Sequence, residues 1–257
     1  MKEHETHFGR AAKRLLLPAM VLCAYLIVTL TGWVNPYLIP PPGQIGQAFI
    51  SMLLDGSLVM HILISLRRVF LGFFLAAGIA LPLALLCYFF PLLSEYCSGL
   101  LHFLRNTPPL AMVPLLILWF GIGEGSKLAL IVLACFFPIF LNTLNGLQQV
   151  DHRLLEMGET LELSRKEQTL HILFPEALPS MLTGLRLGFG YSWRALIGAE
   201  MIAASSGLGY LILDAELLAR TDKVFIGILS IGSLGLLMDY CSMKGLEKAF
   251  PWIRGQV

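Results

Sequence analysis

The sequence predicts an all-α integral membrane protein with six transmembrane helices, and three observations support this fold class. Hydrophobic residues make up 56% of the chain and charged residues only 14%, well below the quarter that is usual in soluble domains. The apolar residues gather in runs long enough, or nearly long enough, to cross a bilayer core of about 30 Å. Lys and Arg cluster between alternate runs, as the positive-inside bias of membrane proteins requires.

Five apolar runs are predicted as full spans and one as a short span. In chain order they are Leu15–Val34, Val69–Phe90, Leu110–Ile122, Leu128–Leu147, Leu182–Ser205 and Val224–Tyr240. The short span follows Pro108 and Pro109, which have no backbone N–H and disfavour a continuous helix. The preceding run, Leu92–Leu104, is therefore predicted as a separate helical piece near the membrane surface.

The first run is predicted as a retained signal anchor, because basic residues precede about twenty apolar ones and no small-x-small cleavage site follows. Both termini are then cytoplasmic. This threading puts twelve of the 18 Lys and Arg inside: Lys2, Arg10, Lys13, Arg14, Arg105, Arg153, Arg165, Lys166, Arg186, Lys244, Lys248 and Arg254. Arg67 and Arg68 fall at the outer start of the second span, where they are expected to snorkel or pair.

Charge and motifs exclude several classes of function. The net charge of +1 and the lack of a basic stripe with interleaved aromatics argue against a nucleic-acid partner. The five cysteines show no CxxC and are predicted to be packing residues rather than metal or redox groups: Cys23, Cys87, Cys97, Cys135 and Cys241. Without a phosphate-binding loop, HExxH or GxSxG, the chain is predicted to be no enzyme, with no catalytic residue and no metal site.

The segment Glu156–Pro179 is a polar insert between two long apolar runs. Its first part has helical periodicity, and Ser164 with Glu167 has the form of a capping box, so a second short helix is predicted to start at Ser164. Pro175 and Pro179 are expected to limit how far that helix continues. Two short helices joined at a bend would form a rigid knob on the cytoplasmic face; the alternative is a loop that packs on its own bundle.

The insert resembles the cytoplasmic signature of the membrane permeases of binding-protein-dependent ABC importers. That signature reads Glu-Ala-Ala, three residues, Gly, nine residues and Ile-x-Leu-Pro. Glu156-Met157-Gly158, Glu162 and Ile172-Leu173-Phe174-Pro175 stand at this spacing, although both alanines, the glycine and one leucine differ. A glycine there would serve a left-handed bend, in which Glu162 would cost about 1 kcal/mol. The bend is therefore expected to be reshaped, with Ser164 capping the next helix.

Five further segments, in the same order, look like the branch that imports aliphatic sulfonates, taurine and nitrate. They are Leu38–Pro42, Leu104–Ala111, Pro114–Glu124, Ala199–Met201 and Ser206–Tyr210. Relatives that handle thiamine precursors, riboflavin or aromatic acids share much of this pattern and remain alternatives. The resemblance divides the chain into a first part (1–34) with the first helix, a permease core (35–245) with a coupling loop (148–181), and a cytoplasmic tail (246–257).

The resemblance implies the fold of a type I ABC importer permease in the inner membrane of a bacterium. It implies a homodimer, two ATP-binding subunits inside and a substrate-binding protein outside, with ATP and Mg²⁺ on the ATPase and no cofactor in this chain. The polar insert would be the coupling helix, which transmits closure of the ATPase to the spans. Its coupling residues would be Glu156, Gly158, Glu162, Ser164, Glu167, Ile172 and Pro175.

Ionisable residues within spans are costly and usually face a cavity or a partner, so Arg194 and Glu200 are the main candidates for the translocation pathway. Six residues separate them, so a direct pair within one helix is not expected. Arg194 is interpreted as a way-station for an anion, or as a structural partner of neighbouring carbonyls or of Glu200 of the partner subunit. Asn106 at the broken third span and Trp119 near its outer end are further candidates, against a simple elbow and an interfacial anchor.

Two other groups complete the prediction. Four glycines of the fifth span indicate close helix packing rather than a gating hinge: Gly184, Gly188, Gly190 and Gly198. Four charged residues of the last outer loop are expected to meet the binding protein, or to be merely solvated: Asp214, Glu216, Arg220 and Asp222. Rival functions are a self-sufficient carrier or channel, which would normally show internal symmetry, and a membrane enzyme, which would need a catalytic constellation.

Overall fold

Residues 7–250 are described by the computed structural model, and within that range the chain forms helices joined by turns. The α-helices are α1 His7–Leu30, α2 Pro42–Leu54, α3 Ser57–Phe89, α4 Pro91–Asn106, α5 Val113–Phe120, α6 Glu124–Gln148, α7 His152–Thr160, α8 Arg165–Gln168, α9 Phe174–Ala203, α10 Leu208–Leu217 and α11 Thr221–Ala249. A 3₁₀ turn, Pro109–Met112, precedes α5, and a π turn, Thr169–Leu173, joins α8 to α9. The predicted all-α class is confirmed. Lys2 and Arg254 lie outside the described residues.

Three helices of the described chain are long and apolar enough to cross a membrane: α3, α6 and the part Thr221–Leu246 of α11. A fourth span results if α4 and the segment Pro109–Phe120 count as one, although the two are bent by 94°. The apolar part of α1, Leu16–Leu30, is shorter. The number of six spans stays a prediction. The separate helical piece that the prolines predict is confirmed as α4.

The second span begins earlier than predicted. α3 starts at Ser57 rather than near Val69, and a further helix, α2, precedes it. The prediction placed Arg67 and Arg68 at the outer start of the span, just before the apolar run, where they would snorkel or pair. Arg68 is buried and its charge is neutralised by two carboxylates, so the helix continues through it, whereas Arg67 is exposed.

The expectation that Pro175 and Pro179 end the short helix is wrong. α8, the π turn and α9 follow one another without a break, and Pro179 lies inside α9. In the π turn the N–H of Phe174 bonds to the carbonyl of Thr169, five residues back. The helix returns to the normal pitch at Pro175, which has no N–H that needs an acceptor. The wide turn thus accommodates a proline that would break a regular helix.

The described residues form two compact units, 7–59 with Leu211–Leu229, and Met60–Tyr210 with 230–250. In the first unit the hydroxyl of Tyr25 donates to the carbonyl of Pro40 at 2.7 Å, and its ring stacks on Phe225. The hydroxyl of Thr221 donates to the carbonyl of Tyr37 at 2.6 Å. These bonds tie the turn after α1 to the start of α11.

The core of the second unit lies between α6 and α9. Leu147 of α6 packs on Ala177 and Met181 of α9 at one end, and Leu130 packs on Ala199 at the other. Inside a bilayer the lipid is as apolar as these side chains, so close van der Waals packing stabilises the pair rather than transfer out of water. The two helices therefore form a fixed frame on either side of the coupling loop.

Glycines let α6 and α9 approach closely. A Cβ on Gly184 would lie 2.7 Å from the Cβ of Asn142 and 3.0 Å from the carbonyl oxygen of Pro138, and one on Gly188 would lie 2.7 Å from Ile139 Cγ1. A Cβ on Gly198 would meet Leu110, but one on Gly190 would meet open space. Close packing is thus confirmed for Gly184, Gly188 and Gly198 and is wrong for Gly190.

Candidate functional site

The predicted coupling segment is a compact turn of two helices between α6 and α9. Asp151 begins α7 by accepting a hydrogen bond from the N–H of Arg153 at 2.9 Å. α7 ends in a Schellman motif, in which the N–H of Leu163 bonds to the carbonyl of Gly158 at 3.0 Å and that of Glu162 bonds to Glu159 at 2.9 Å. The bend is therefore held by paired backbone hydrogen bonds.

Glu162 keeps the left-handed conformation that the signature glycine would take. Its φ is +57°, so the expectation that the bend is reshaped at this residue is wrong. The two bonds of the Schellman motif need a left-handed residue at this position, and their gain outweighs the roughly 1 kcal/mol cost of a side chain there. The left-handed bend expected of the signature glycine is present although the glycine is not.

The capping box predicted at Ser164 is confirmed. The N–H of Glu167 donates to Ser164 Oγ at 3.3 Å, and the N–H of Ser164 donates to Glu167 Oε2 at 2.8 Å. The Ser164 hydroxyl also donates to the Glu167 carboxylate at 2.6 Å. These bonds lower the pKa of Glu167 below its ordinary value of 4.5, because they stabilise the charged carboxylate. α8 thus starts from a fixed point directly after the bend.

Gly158 allows α7 to pack on the π turn. A Cβ at this position would lie 2.8 Å from Ile172 Cδ1 and 3.2 Å from Gln168 Cγ. Gln168 donates from Nε2 to the carbonyl of Leu163 at 3.0 Å, which adds a second tie across the bend. Two of the predicted coupling residues, Gly158 and Ile172, therefore hold the segment together from inside.

The outer surface of this segment combines apolar and charged side chains. Met157, Leu161 and Leu170 are exposed although they are large and apolar. Glu156 is exposed and lies 3.5 Å from the ring nitrogen of His152. A rigid segment with an apolar centre and charges beside it is suited to docking on another protein.

A second site, which we call the charge cluster, joins α3, α6 and α9. Arg68 grips Glu124 with two bonds, Nε to Oε2 at 2.8 Å and Nη2 to Oε1 at 2.6 Å. Arg68 Nη1 bonds to Glu200 Oε1 at 2.7 Å and to the carbonyl of Ser206 at 2.6 Å, and Nη2 reaches Ser206 Oγ at 3.2 Å. Lys127 Nζ lies 3.1 Å from Glu124 Oε1. All five N–H donors of Arg68 are occupied, and the four charges sum to zero.

The turn after α9 wraps around Glu200. The hydroxyl of Ser65 donates to the Glu200 carboxylate at 2.9 Å and accepts from the N–H of Leu208, while the N–H of Gly209 donates to Glu200 Oε2 at 2.9 Å. Gly207 has φ +111°, and a Cβ there would overlap the Glu200 carboxylate. Only a glycine lets the backbone pass so close to the buried charge.

The structure does not bring Arg194 and Glu200 together. Glu200 is fully buried in the charge cluster, whereas Arg194 is exposed with its guanidinium 5.7 Å from the centre of the Tyr191 ring. The true partner of Glu200, Arg68, was considered in the sequence only as a residue that snorkels or pairs. A charged residue within an apolar run is the signal that could have identified it, but the sequence does not say which carboxylate it meets.

Arg194 lines a cavity of about 520 Å³ between α9 and α11. Arg186 and Trp193 of α9 also line the cavity, and so does Asp239 of α11. The Asp239 carboxylate lies 3.6 Å from Arg186 Nη2. Gly190 and Gly232 form part of its wall, and a Cβ on either would meet nothing within 4 Å. The cavity combines a mostly apolar wall with two guanidinium groups, one of which faces Asp239, so Arg194 is the cation that suits an anion with a short apolar part.

The other predicted pathway residues lie elsewhere. Asn106 ends α4, where its side chain donates to the carbonyl of His102 at 2.9 Å, and Trp119 is exposed near the end of α5. Neither lines the cavity with Arg194. Their part in a pathway stays a prediction.

The four residues predicted to meet a binding protein lie in α10, in the following turn and in the first turn of α11. Glu216 and Arg220 are exposed, and Asp214 and Asp222 are half-buried. Arg220 grips Asp222 with two bonds, at 3.1 and 2.9 Å. Among the described residues no group of three or more His, Cys, Asp and Glu is arranged to hold a metal ion.

Comparisons with known proteins agree on one family. The family described as the inner membrane component of binding-protein-dependent transport systems matches residues 68–242. A Bacillus subtilis protein named as an aliphatic sulfonates transport permease, SsuC, is 40% identical over 240 residues, covering 93% of this chain and 87% of its own. The taurine transport system permease TauC of Escherichia coli is 32% identical, covering 91% and 87%. A crystal structure of an amino acid ABC transporter matches 77% of this chain and 95% of its own with a TM-score of 0.61 at 18% identity.

Proposed function

The chain belongs to the family of binding-protein-dependent transport system inner membrane components, the permeases of ABC importers, and we propose that it carries a small organic anion across the membrane. An aliphatic sulfonate or taurine is proposed ahead of nitrate. The names of the relatives SsuC and TauC support this substrate class. The permease would work as a homodimer with two ATP-binding subunits and an extracytoplasmic binding protein, and ATP with Mg²⁺ would bind the ATPase.

The observation that carries the transport mechanism is the rigid coupling segment. The Schellman motif at Glu162 and the capping box at Ser164 fix two short helices, and the continuous chain from α8 into α9 links them to a long helix. A displacement of α7 by the ATPase would therefore be transmitted to α9 rather than absorbed by a loop. α9 carries Arg194 and packs along α6, so both helices would move as one body.

Reconstitution tests the function directly. The permease, its ATPase and its binding protein are placed in liposomes, and uptake of labelled taurine or ethanesulfonate is measured with and without ATP. We expect uptake that requires ATP and the binding protein. Uptake by the permease alone would instead favour a self-sufficient carrier. If nitrate stimulated ATP hydrolysis and neither taurine nor ethanesulfonate did, the substrate would be nitrate rather than a sulfonate.

A charge reversal tests the coupling role. Glu156→Lys removes an exposed carboxylate whose charge-assisted contact with a partner is worth about 1.5–3 kcal/mol, so it should release or uncouple the ATPase while the permease stays in the membrane. Glu176→Lys, an exposed reversal at the start of α9, is the matched control. Normal substrate-stimulated hydrolysis in Glu156→Lys would contradict the role of α7.

Arg194 is proposed as a way-station for the anion in the cavity between α9 and α11. Because its guanidinium is exposed, Arg194→Gln should slow uptake without lowering the melting temperature of the complex. Arg67→Gln, another exposed arginine, is the control and should leave uptake unchanged. Equal uptake by Arg194→Gln and the wild type would exclude the way-station.

A further inference from the structure

The charge cluster contains two buried cations and one carboxylate that is open to solvent. The side chains of Arg68 and Lys127 are each 4% exposed, whereas that of Glu124, which bonds to both, is 59% exposed. An ion pair is usually buried or exposed as a whole. In the charge cluster the two cations are buried, whereas Glu124, which neutralises them, is exposed.

The second carboxylate of the cluster is held quite differently. The Glu200 side chain is 0% exposed and accepts bonds from Arg68, Ser65 and the backbone N–H of Gly209. Its release would leave a carboxylate buried without partners, which is strongly unfavourable. Glu200 therefore neutralises one of the two cations permanently, and a single positive charge remains for which Glu124 is the counterion.

Glu124 can leave at small cost. Its side chain is already 59% exposed, so it can rotate outwards without crossing packed atoms, and it follows Gly121 and Gly123 in a short turn. Beyond Arg68 and Lys127, no bond to the Glu124 carboxylate is found in the described chain. The position that Glu124 occupies must nevertheless hold some anion. Without one, the two buried cations, Arg68 and Lys127, would face only Glu200.

We propose that Arg68 and Lys127 form an anion-binding site, that Glu124 occupies it as a tethered counterion, and that the transported anion takes the place of Glu124. A sulfonate offers oxygens that match the two parallel N–H donors of Arg68 and a third acceptor for Lys127. The identity of this anion rests on the proposed function; the exchange itself rests on the geometry of the cluster. On the predicted threading, α6 begins at the outer face, so the site would receive the anion on entry.

Removal of the tethered carboxylate tests the site. Glu124→Ala should lower the melting temperature of the assembled transporter, and methanesulfonate at about 50 mM should restore it by several degrees, because a ligand that binds only the folded state stabilises it. The wild type should respond far less, since Glu124 competes. Dimethyl sulfone has a similar shape but no charge, so it should not raise the melting temperature of Glu124→Ala or of the wild type. Sodium chloride at equal ionic strength controls for the screening of charges.

Asp222→Ala is the matched control variant. Asp222 also binds an arginine through two bonds, but Arg220 is 50% exposed and water can solvate it when the carboxylate is lost. Methanesulfonate should therefore not restore this variant. Equal restoration of Glu124→Ala and Asp222→Ala would overturn the proposal, because the effect would then not depend on buried cations.

A tethered sulfonate gives a second test should Glu124→Ala fail to assemble. Glu124→Cys in a cysteine-free background is treated in membranes with 2-sulfonatoethyl methanethiosulfonate or with its trimethylammonium analogue. We expect the anionic reagent to react at least about tenfold faster, because the buried cations attract it, and methanesulfonate to slow it. Equal rates with both reagents, and no protection, would show that Glu124 is only a structural partner.

The outcomes separate this site from the proposed function. ATP-dependent uptake of taurine without anion-dependent restoration would overturn the site and leave the function. Restoration by methanesulfonate in a transporter that does not take up sulfonates would keep the site and change the substrate.

Discussion

Glu162 and Ala219 both take the left-handed backbone conformation, with φ of +57° and +54°, at the end of a helix. Each closes a Schellman motif: the N–H of Arg220 bonds to the carbonyl of Ala215 at 2.8 Å, as Leu163 does to Gly158. Glycine is the residue that such a position favours, since a Cβ is strained there. The backbone of both residues is therefore slightly strained, and the hydrogen bonds of the Schellman motif offset the cost.

Glu162→Gly should stabilise the coupling segment by up to about 1 kcal/mol, because it removes this strain. The measurement is the free energy of unfolding, or the melting temperature, of the purified permease. Glu159→Gly, one turn earlier within α7, should act in the opposite direction and cost about 0.5–1 kcal/mol. A loss of stability in both variants would show that the Glu162 side chain contributes more than its backbone strain costs.

Glu200 is the residue on which the charge cluster depends most. Glu200→Ala leaves Arg68 buried beside a cavity and should cost about 3–5 kcal/mol, seen as low yield or early thermal dissociation. Arg68→Met combined with Glu200→Leu should be less harmful than Glu200→Ala alone, because neither charge is then unpaired. A stable, active Glu200→Ala protein would contradict the structural role.

At the scale of the elements, the segment from α7 to α9 owes its rigidity to local bonds. The capping box is formed by residues three apart, so it forms whenever the backbone turns at Ser164. Its independence from distant contacts suits the coupling role that we propose for this segment.

Ser164→Ala should cost about 1 kcal/mol and increase hydrogen exchange in residues 165–168. The contribution of Glu167 to stability should depend on pH in one direction. Its folded pKa is lowered, so this contribution is present above the ordinary pKa of 4.5 and is lost as the pH falls through the folded value. Exchange measured at pH 7 and at about pH 3 on the wild type and Glu167→Gln checks this. Equal pH dependence in the two proteins would exclude Glu167.

The contact of α6 with α9 depends on glycines of unequal importance. Gly184→Ala would place a Cβ 3.0 Å from the carbonyl oxygen of Pro138, which cannot move without its helix, and should cost about 1–3 kcal/mol. Gly190→Ala has open space and should gain about 0.5–1 kcal/mol from helix propensity. Melting temperatures that shift in the same direction for both would contradict this account of the interface.

At the scale of the whole molecule, the charge cluster constrains the topology. Glu124 begins α6 and Glu200 lies near the end of α9, and both bind Arg68. The start of α6 and the end of α9 must therefore lie at the same membrane face, as the predicted threading requires. Between them lies the coupling segment, which must then be at the opposite face.

Single cysteines test the orientation. In a cysteine-free protein, Gln44→Cys and Glu216→Cys should react with an impermeant thiol reagent added to intact cells, and Glu159→Cys should react only after the cells are opened. All three positions are exposed, so access to the reagent is the only difference expected. Labelling of Glu159→Cys from outside would invert the topology and remove the coupling assignment.

The sequence by itself determined the features that depend on composition or on neighbours along the chain. Apolar content determined the helical membrane class, prolines separated α4 from α5, and the spacing from Ser164 to Glu167 determined the start of α8. The signature spacing determined the family, even with Glu162 in place of a glycine. The sequence misjudged Pro175, because the effect of a proline depends on the pitch of the turn around it.

Only the tertiary structure decided which distant residues meet. The bonds of Arg68 join residues 56 and 132 positions away, and helical periodicity says nothing about which helices are neighbours. For the same reason the sequence does not predict that Arg194 lines a cavity shared with α11, apart from Glu200 of its own chain. A buried charge must find an opposite charge, so the sequence can require that a partner exists, but packing in three dimensions selects it.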